Sequence, residues 1–277
     1  VVTETGWRDD IKMMGYLEEI KQGYNRISDR NNAREQMLMD IGIAAGKAGE
    51  KQAYWDEEQE TALLLLKGKV ELSWEGGSRL IERSSVFDEN PSCLHIARKV
   101  KVEIKAHSDY ELIIQKTANE AAFESRLYLP DECKAEQFGK GVWEEAALRI
   151  VRTVFDYSTA PYSKLVIGEV IHYPGRWSSY IPHHHPQPEV YFYKFDKPQG
   201  FGFSLIGEEA CKIKHNSFSL IPGGLVHPQV AAPGYAMYYC WMIRHLDNNP
   251  WTDRVNDPAH AWLLDPSAKI WRPATHV

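Results

Sequence analysis

From Met37 onward the chain breaks into short apolar or alternating runs, each bounded by Gly, Asn, Asp, Ser or Pro. Runs such as "TALLLLKGKVELSWEGG", "SCLHIARKVKVEIKA" and "YELIIQKT" are strand-sized, and the paired glycines Gly76 and Gly77 mark a hairpin turn. A charged stretch from Ala118 to Glu145 interrupts them, and the pattern resumes with "KLVIGEVIHYPG", "EVYFYKF", "GFGFSLIG", "SFSLIP" and "AMYYCWMIR". Two series of short antiparallel strands joined by a connector predict an all-β chain of two small barrels or sandwiches, residues 1–130 and 131–277. The polar segment Asp9 to Arg34 carries Leu17, Ile20 and Tyr24 at roughly helical spacing, which predicts a short amphipathic helix before the first strands. The C-terminal stretch, rich in Pro, Asp and Trp, is expected to wrap over the second unit.

Bulk properties remove several function classes. The formal net charge of -6 provides no basic field for nucleic acid or an anionic lipid surface. No apolar run approaches the roughly 18 residues that span a bilayer, and no signal-peptide pattern opens the chain. The four cysteines, Cys93, Cys133, Cys211 and Cys240, are widely spaced, with no C-x-x-C pair. They read as free thiols of a cytoplasmic protein rather than as a disulfide framework or a zinc knuckle.

Chemistry concentrates in two segments of the second half. In "YIPHHHPQPEVYFYKF", His183 and His185 share one face of an extended chain, His184 points away, and Glu189 has the parity of the first pair. In "IPGGLVHPQV", Pro222 and Gly224 make a turn and His227 follows it. Three imidazoles and one carboxylate on two strand–turn segments form a donor set suited to a divalent transition metal. The first half has no comparable pair; His95 and His107 stand alone in strand-like runs and read as structural histidines.

The two segments match the paired cupin motifs, H-x-H-x(3,4)-E and P-x-G-x-x-H. With "GEVIHYPGRWSSYIPHHH", "PQGFGF", "PGYAMYYCWM" and "DPAHAW", the chain resembles the bicupin family that includes 5-deoxy-glucuronate isomerase of myo-inositol catabolism and 5-dehydro-4-deoxy-D-glucuronate isomerase of pectin breakdown. "EVYFY" at Glu189 to Tyr193 and the short spacing from His185 to Glu189 lie nearer the pectin branch. The resemblance implies two jelly-roll barrels, with the metal ligands at His183, His185, Glu189 and His227 of the second. It also implies one divalent ion (zinc, manganese or iron(II)) and a small sugar-acid substrate, and because barrels with exposed edge strands commonly pair, a homo-oligomer is expected.

The implied reaction is an aldose–ketose isomerisation through an enediol. It needs a Lewis acid for the developing oxyanion and a base beside the C–H bond. Glu189 is one candidate base, with Tyr191 and Tyr193 on the same strand face as alternatives. Arg176, Lys194 and Arg244 are candidates for the substrate carboxylate, and Gln199 in "PQGFGF" and His260 in "DPAHAW" are further candidates on resemblance alone. Glucuronate as substrate, a non-catalytic sugar-binding barrel and a dioxygenase all share this donor set and stay open from the residues alone.

Overall fold

The computed structural model describes residues 12–32 and 36–274. In chain order the strands of the first half are β1 (Met14–Tyr16), β2 (Gly23–Ser28), β3 (Asp40–Gly46), β4 (Lys51–Tyr54), β5 (Gln59–Trp74), β6 (Gly77–Arg83), β7 (Cys93–Ile96), β8 (Val102–Ala106), β9 (Tyr110–Ala118) and β10 (Arg126–Tyr128). The second half supplies β11 (Lys134–Phe138), β12 (Arg149–Phe155), β13 (Leu165–His172), β14 (Trp177–Ser178), β15 (His183–His184), β16 (Glu189–Phe195), β17 (Phe201–Ile206), β18 (Glu209–Lys214), β19 (Ser217–Ile221), β20 (Gln229–Ala231), β21 (Met237–Arg244) and β22 (Val255–Asn256). The only helical pieces among the described residues are three short 3-10 turns, so the fold is all-β as expected.

Each half has a large sheet and a smaller set of strands facing it. The first large sheet runs β10-β7-β5-β9-β3-β2; the far end of β5 continues into a second ladder with β6 and β8, and β4 joins β8. The second large sheet runs β1-β19-β16-β21-β13-β12-β11 and faces the four-stranded β14-β20-β17-β18. Among the described residues the ladders do not close into barrels: β16 and β17 are separated by an exposed turn, and the small sheet of the second half shares no ladder with the large one.

Alternation along the central strands fixes the layers. On β16, Val190 and Phe192 turn toward the first half, while Tyr191, Tyr193 and Phe195 turn into the second half's own interior. On β5, Ala62, Leu64 and Leu66 meet that shared core, while Leu63 and Leu65 fill the interior of the first half. The side-chain period of two therefore sends odd and even residues of one strand into different cores. The two large sheets pack back to back over one apolar cluster, with a small sheet outside each.

Polar contacts cross the same interface. Arg83 clamps Glu169 with two hydrogen bonds of 2.7 and 2.8 Å, and Arg152 and Tyr238 add to that carboxylate. Gln115 Nε2 donates to the carbonyls of Val166 and Ile243. Glu60 receives Ser163 Oγ, the Lys164 amide and Asn119 Nδ2, with His95 Nε2 at 2.9 Å. Burial of ionised groups is tolerated only with such pairing.

The expected N-terminal helix is not present in the described residues; Asp9 to Ile11, Ala33 and Arg34 of that segment lie outside them. The rest is extended: Met14–Tyr16 pair with Ser217–Ser219 at the edge of the second large sheet. Gly15 permits this, because a Cβ there would stand 2.2 Å from the Phe218 ring. Leu17 and Ile20 still pack on the shared core, so their apolar spacing reflects tertiary burial rather than a helical face. The tail is only partly the wrap expected: Trp251 is packed, but Trp262 and Trp271 are 52% and 83% exposed. No helix among the described residues is long and apolar enough to cross a membrane. The four cysteines are free.

Candidate metal centre

The two chemistry-bearing segments meet at the mouth of the second half. β15 and the Pro186–Pro188 bend deliver the first histidines, and Glu189 opens β16. The second segment is held against the first by its glycines. The Gly224 amide donates to the His185 carbonyl at 2.7 Å, and Gly224 has a φ of +86°. At Gly223 any Cβ would lie 1.9 Å from the Pro186 carbonyl oxygen. The "PGG" turn therefore has a steric reason as well as a conformational one.

His185, Glu189 and His227 bring one donor atom each within 4.8 Å of one another, all buried. Glu189 Oε2 lies 3.2 Å from His185 Nε2 and 3.3 Å from His227 Nε2. His183 flanks this trio, its ring 5.2 Å from that of His227. All three imidazoles are oriented in the same way. Nδ1 of His183 donates to Ile181 O, Nδ1 of His185 to Gln187 O and Nδ1 of His227 to Leu225 O, at 2.9, 3.0 and 2.9 Å. A carbonyl can only accept, so each neutral ring carries its proton on Nδ1 and presents the Nε2 lone pair. Two such lone pairs then face a carboxylate oxygen in a buried site. Acceptors opposed in this way need a proton or a cation between them, and imidazole nitrogens with a carboxylate oxygen are donors that could hold a divalent transition metal.

Electrostatics favour the same state. Burial pushes His183 down to about 3, helped by the neighbouring His227 and Arg254, and burial also lowers His227 against the pull of Glu189. These rings stay neutral near pH 7, the form that ligates metal.

A cavity of about 110 Å³ opens over the trio, walled by Tyr191, Tyr239, Trp241, Trp251, Val151 and Val170, with Ser179 and His183 and two arginines, Arg149 and Arg254. Gly168 makes room for one wall, since a Cβ there would sit 2.4 Å from the Trp241 ring. Tyr191 is held protonated: burial, then the Glu189 charge, raise it well above the ordinary phenol value. Tyr239 is likewise pushed by burial up to about 12, and shares a 2.9 Å hydrogen bond with Ser178 Oγ.

The other residues singled out from sequence go elsewhere. Tyr193 points into the interior beneath the cavity, its hydroxyl bonded to Ser219 and Gln229. Lys194 lies on the opposite face of β16 and pairs with Glu111 of the first half at 2.8 Å, as its odd offset from Glu189 requires. Arg176 sits in the turn before β14, Gln199 in the exposed turn before β17, and Arg244 binds the His245 carbonyl and Asp247. His260 precedes the last 3-10 turn and does not line the cavity. The cavity's arginines come instead from β12 and from the segment before β22, both remote in sequence from the histidines. The register of β12 against His172 of β13 is what places Arg149 there.

The sequence profile of the KduI/IolB family matches residues 16–263. A 5-deoxy-glucuronate isomerase of Geobacillus kaustophilus is 28% identical over 244 residues, covering 80% of this chain and 83% of the relative. Its counterpart in Bacillus velezensis is 26% identical over 268 residues, covering 90% and 96%. Among solved structures, an IolB-like protein of Salmonella typhimurium LT2 superposes with a TM-score of 0.83 at 22% identity, covering 92% of this chain and 100% of that one. Oxalate decarboxylase of Lactobacillus farciminis, in a formate complex, superposes with a TM-score of 0.63 at 12% identity, covering 89% and 88%, a likeness of fold.

Proposed function

The chain belongs to the KduI/IolB family and is an isomerase, and from that premise we propose that it is a metal-dependent aldose–ketose isomerase converting 5-deoxy-D-glucuronate to 5-dehydro-2-deoxy-D-gluconate. The observation that carries the metal dependence is the set of buried Nε2 lone pairs opposed to Glu189 Oε2. In this reading His183, His185, Glu189 and His227 hold one divalent ion. When bound, the ion supplies Lewis-acid stabilisation of the oxygen charge that develops as the proton moves between adjacent carbons.

The chain's own groups divide the remaining work. Glu189 is the one carboxylate among the lining residues, and with Oε2 turned to the imidazoles its Oε1 is free to carry the proton from one carbon to the next. Tyr191, kept protonated, acts as a hydrogen-bond donor to a substrate oxygen rather than as the base. Trp241 and Trp251 exclude water from the reacting carbons. Tyr193 acts from behind, holding the wall through Ser219 and Gln229.

The test is incubation of metal-loaded protein with 5-deoxy-D-glucuronate, 5-dehydro-4-deoxy-D-glucuronate and D-glucuronate, following the carbonyl carbons by NMR. Conversion of the first with the highest kcat/KM is the expected result. Preference for the second assigns the chain to the pectin branch, and no conversion of any at full metal occupancy overturns the isomerase reading.

A further inference from the structure

Three arginines of the described chain are buried: Arg83, Arg149 and Arg152. Two are ion-paired within the protein and share one carboxylate, Arg83 with both oxygens of Glu169 and Arg152 with one of them. Arg149 is not. It is 8% exposed, its guanidinium makes a single hydrogen bond, from Nη1 to the Ala147 carbonyl at 2.8 Å, its carbon lies 5.6 Å from the Phe138 ring centroid, and it forms no ion pair among the described residues. It shares β12 with Arg152, three positions on, so alternation sends Arg152 to Glu169 in the interface and Arg149 into the cavity. Arg254, the other guanidinium lining that cavity, is exposed and forms no ion pair among the described residues; it raises the like-charge density instead of relieving it.

Leaving a buried cation without a counter-charge is strongly unfavourable, so such groups are paired or face a ligand. The hydrogen-bond inventory of the cavity has the same bias. Two of its lining residues, Trp241 and Trp251, hold buried indole N–H groups with no acceptor among the described residues. The cavity is thus short of acceptor oxygens, and the register sets Arg149 at the far end of the large sheet from Glu189, in the row of His172 and Met237 rather than that of Val166 and Ile243.

We propose that Arg149, assisted by Arg254, forms the anion pole of this cavity and binds the carboxylate of a sugar acid while the opposite end of the molecule meets the histidine cluster. This rests on the isomerase reading for the choice of sugar acid, but the pole itself rests on the unpaired guanidinium. Arg254 belongs to the chain segment whose next two residues, β22, pair with His183 and His184. The pole makes the site selective for acids over neutral sugars, and places the carboxylate at one end of the cavity and the carbonyl at the other.

The experiment is a calorimetric titration of metal-loaded protein with D-glucuronate and, in parallel, with D-glucose. Wild type should prefer the acid. Arg149→Gln should lose on the order of 100-fold in glucuronate affinity with little change for glucose, as expected for a lost charged hydrogen-bonded contact. Its ligand-free melting temperature should be unchanged or higher, because a buried uncompensated charge is removed; an arginine needed only for folding would lower it. Arg149→Lys should fall between, since it keeps the charge and loses the fork. Should the glutamine variant fail to fold, Arg149→Lys and Arg254→Gln give the same ordering. Wild-type affinity for glucuronate in these variants, or a wild type that binds both sugars alike or neither, overturns the proposal. The two readings fail separately. Turnover of 5-deoxy-D-glucuronate indifferent to Arg149→Gln refutes the pole and leaves the isomerase. Arg149-dependent glucuronate binding without turnover of any sugar acid does the reverse.

Discussion

The two halves of the molecule share a strand plan and differ in what they point inward. β5 in the first half occupies the place of β16 in the second, each lying between two partners of its large sheet. The registers make the correspondence specific: Thr61 of β5 stands opposite Ile96, the last residue of β7, as Glu189 of β16 stands opposite Ile221, the last residue of β19. Inward from Thr61 come Leu63 and Leu65; inward from Glu189 come Tyr191 and Tyr193. The first interior is mainly Leu, Ile, Val and Ala with one buried phenol, Tyr110, whereas the second mixes aliphatic residues with Tyr191, Tyr193, Tyr239 and Trp241 beside a donor cluster. The candidate donor cluster thus lies in one half only, on a framework both halves share, which is why fold alone does not settle function.

The sharpest way to break this contrast is to remove the donor that only one half has. Glu189→Gln should abolish turnover, a loss beyond the ~10–100-fold of an outer-shell substitution, while the melting temperature of metal-free protein stays within a few degrees. Thr61→Glu, its mirror in the first half, should destabilise by burying an unpaired carboxylate and should not create a metal site, since no histidines accompany it. A second metal equivalent in that variant would contradict the comparison.

Stability should respond in the opposite sense. Leu63→Ala opens a void in a fully buried apolar core and should cost about 2–5 kcal/mol in denaturant unfolding. Metal content should be unaffected in the protein that remains folded. Tyr193→Phe in the second half removes one hydroxyl from the Ser219–Gln229 network and should cost about 1 kcal/mol.

Acid should also distinguish the halves. His172 and His183, both in the second, are pushed by burial down to about 3. The unfolded chain takes up these protons near pH 6.5 and the folded chain does not, so stability is complete above about 6.5 and falls as pH drops toward 3. Substituting His172→Gln should flatten part of that slope in melting curves taken from pH 7 to 4. An unchanged slope would mean that other groups set the acid limit.

The smallest effect should come from Gln199→Ala in the exposed turn before β17, with KM unchanged and stability within ~0.5 kcal/mol. A large rise in KM would return the "PQGFGF" turn to the substrate site.

How much of this was legible beforehand follows from where the information sits. The four proposed ligands lie on two short segments whose parity and glycine turn can be read from order alone, so their convergence was expected. Lys194 pairs with Glu111 on the other face of β16, as its odd offset from Glu189 requires. Arg149 and Arg254 could not be read from proximity, because long-range antiparallel pairing, not sequence distance, brings them to the cavity. β1 escaped for a related reason: a three-residue strand has no periodicity of its own, and only the open edge of β19 makes it one.

The proposed chemistry depends on a single divalent ion shared by donors from the two segments of the second half. Elemental analysis of purified wild type beside His227→Ala and His95→Ala tests it most directly. One equivalent per chain in wild type and in His95→Ala, with loss in His227→Ala, is the expected result. Full turnover from rigorously metal-free protein, or an equivalent that survives in His227→Ala, would contradict it.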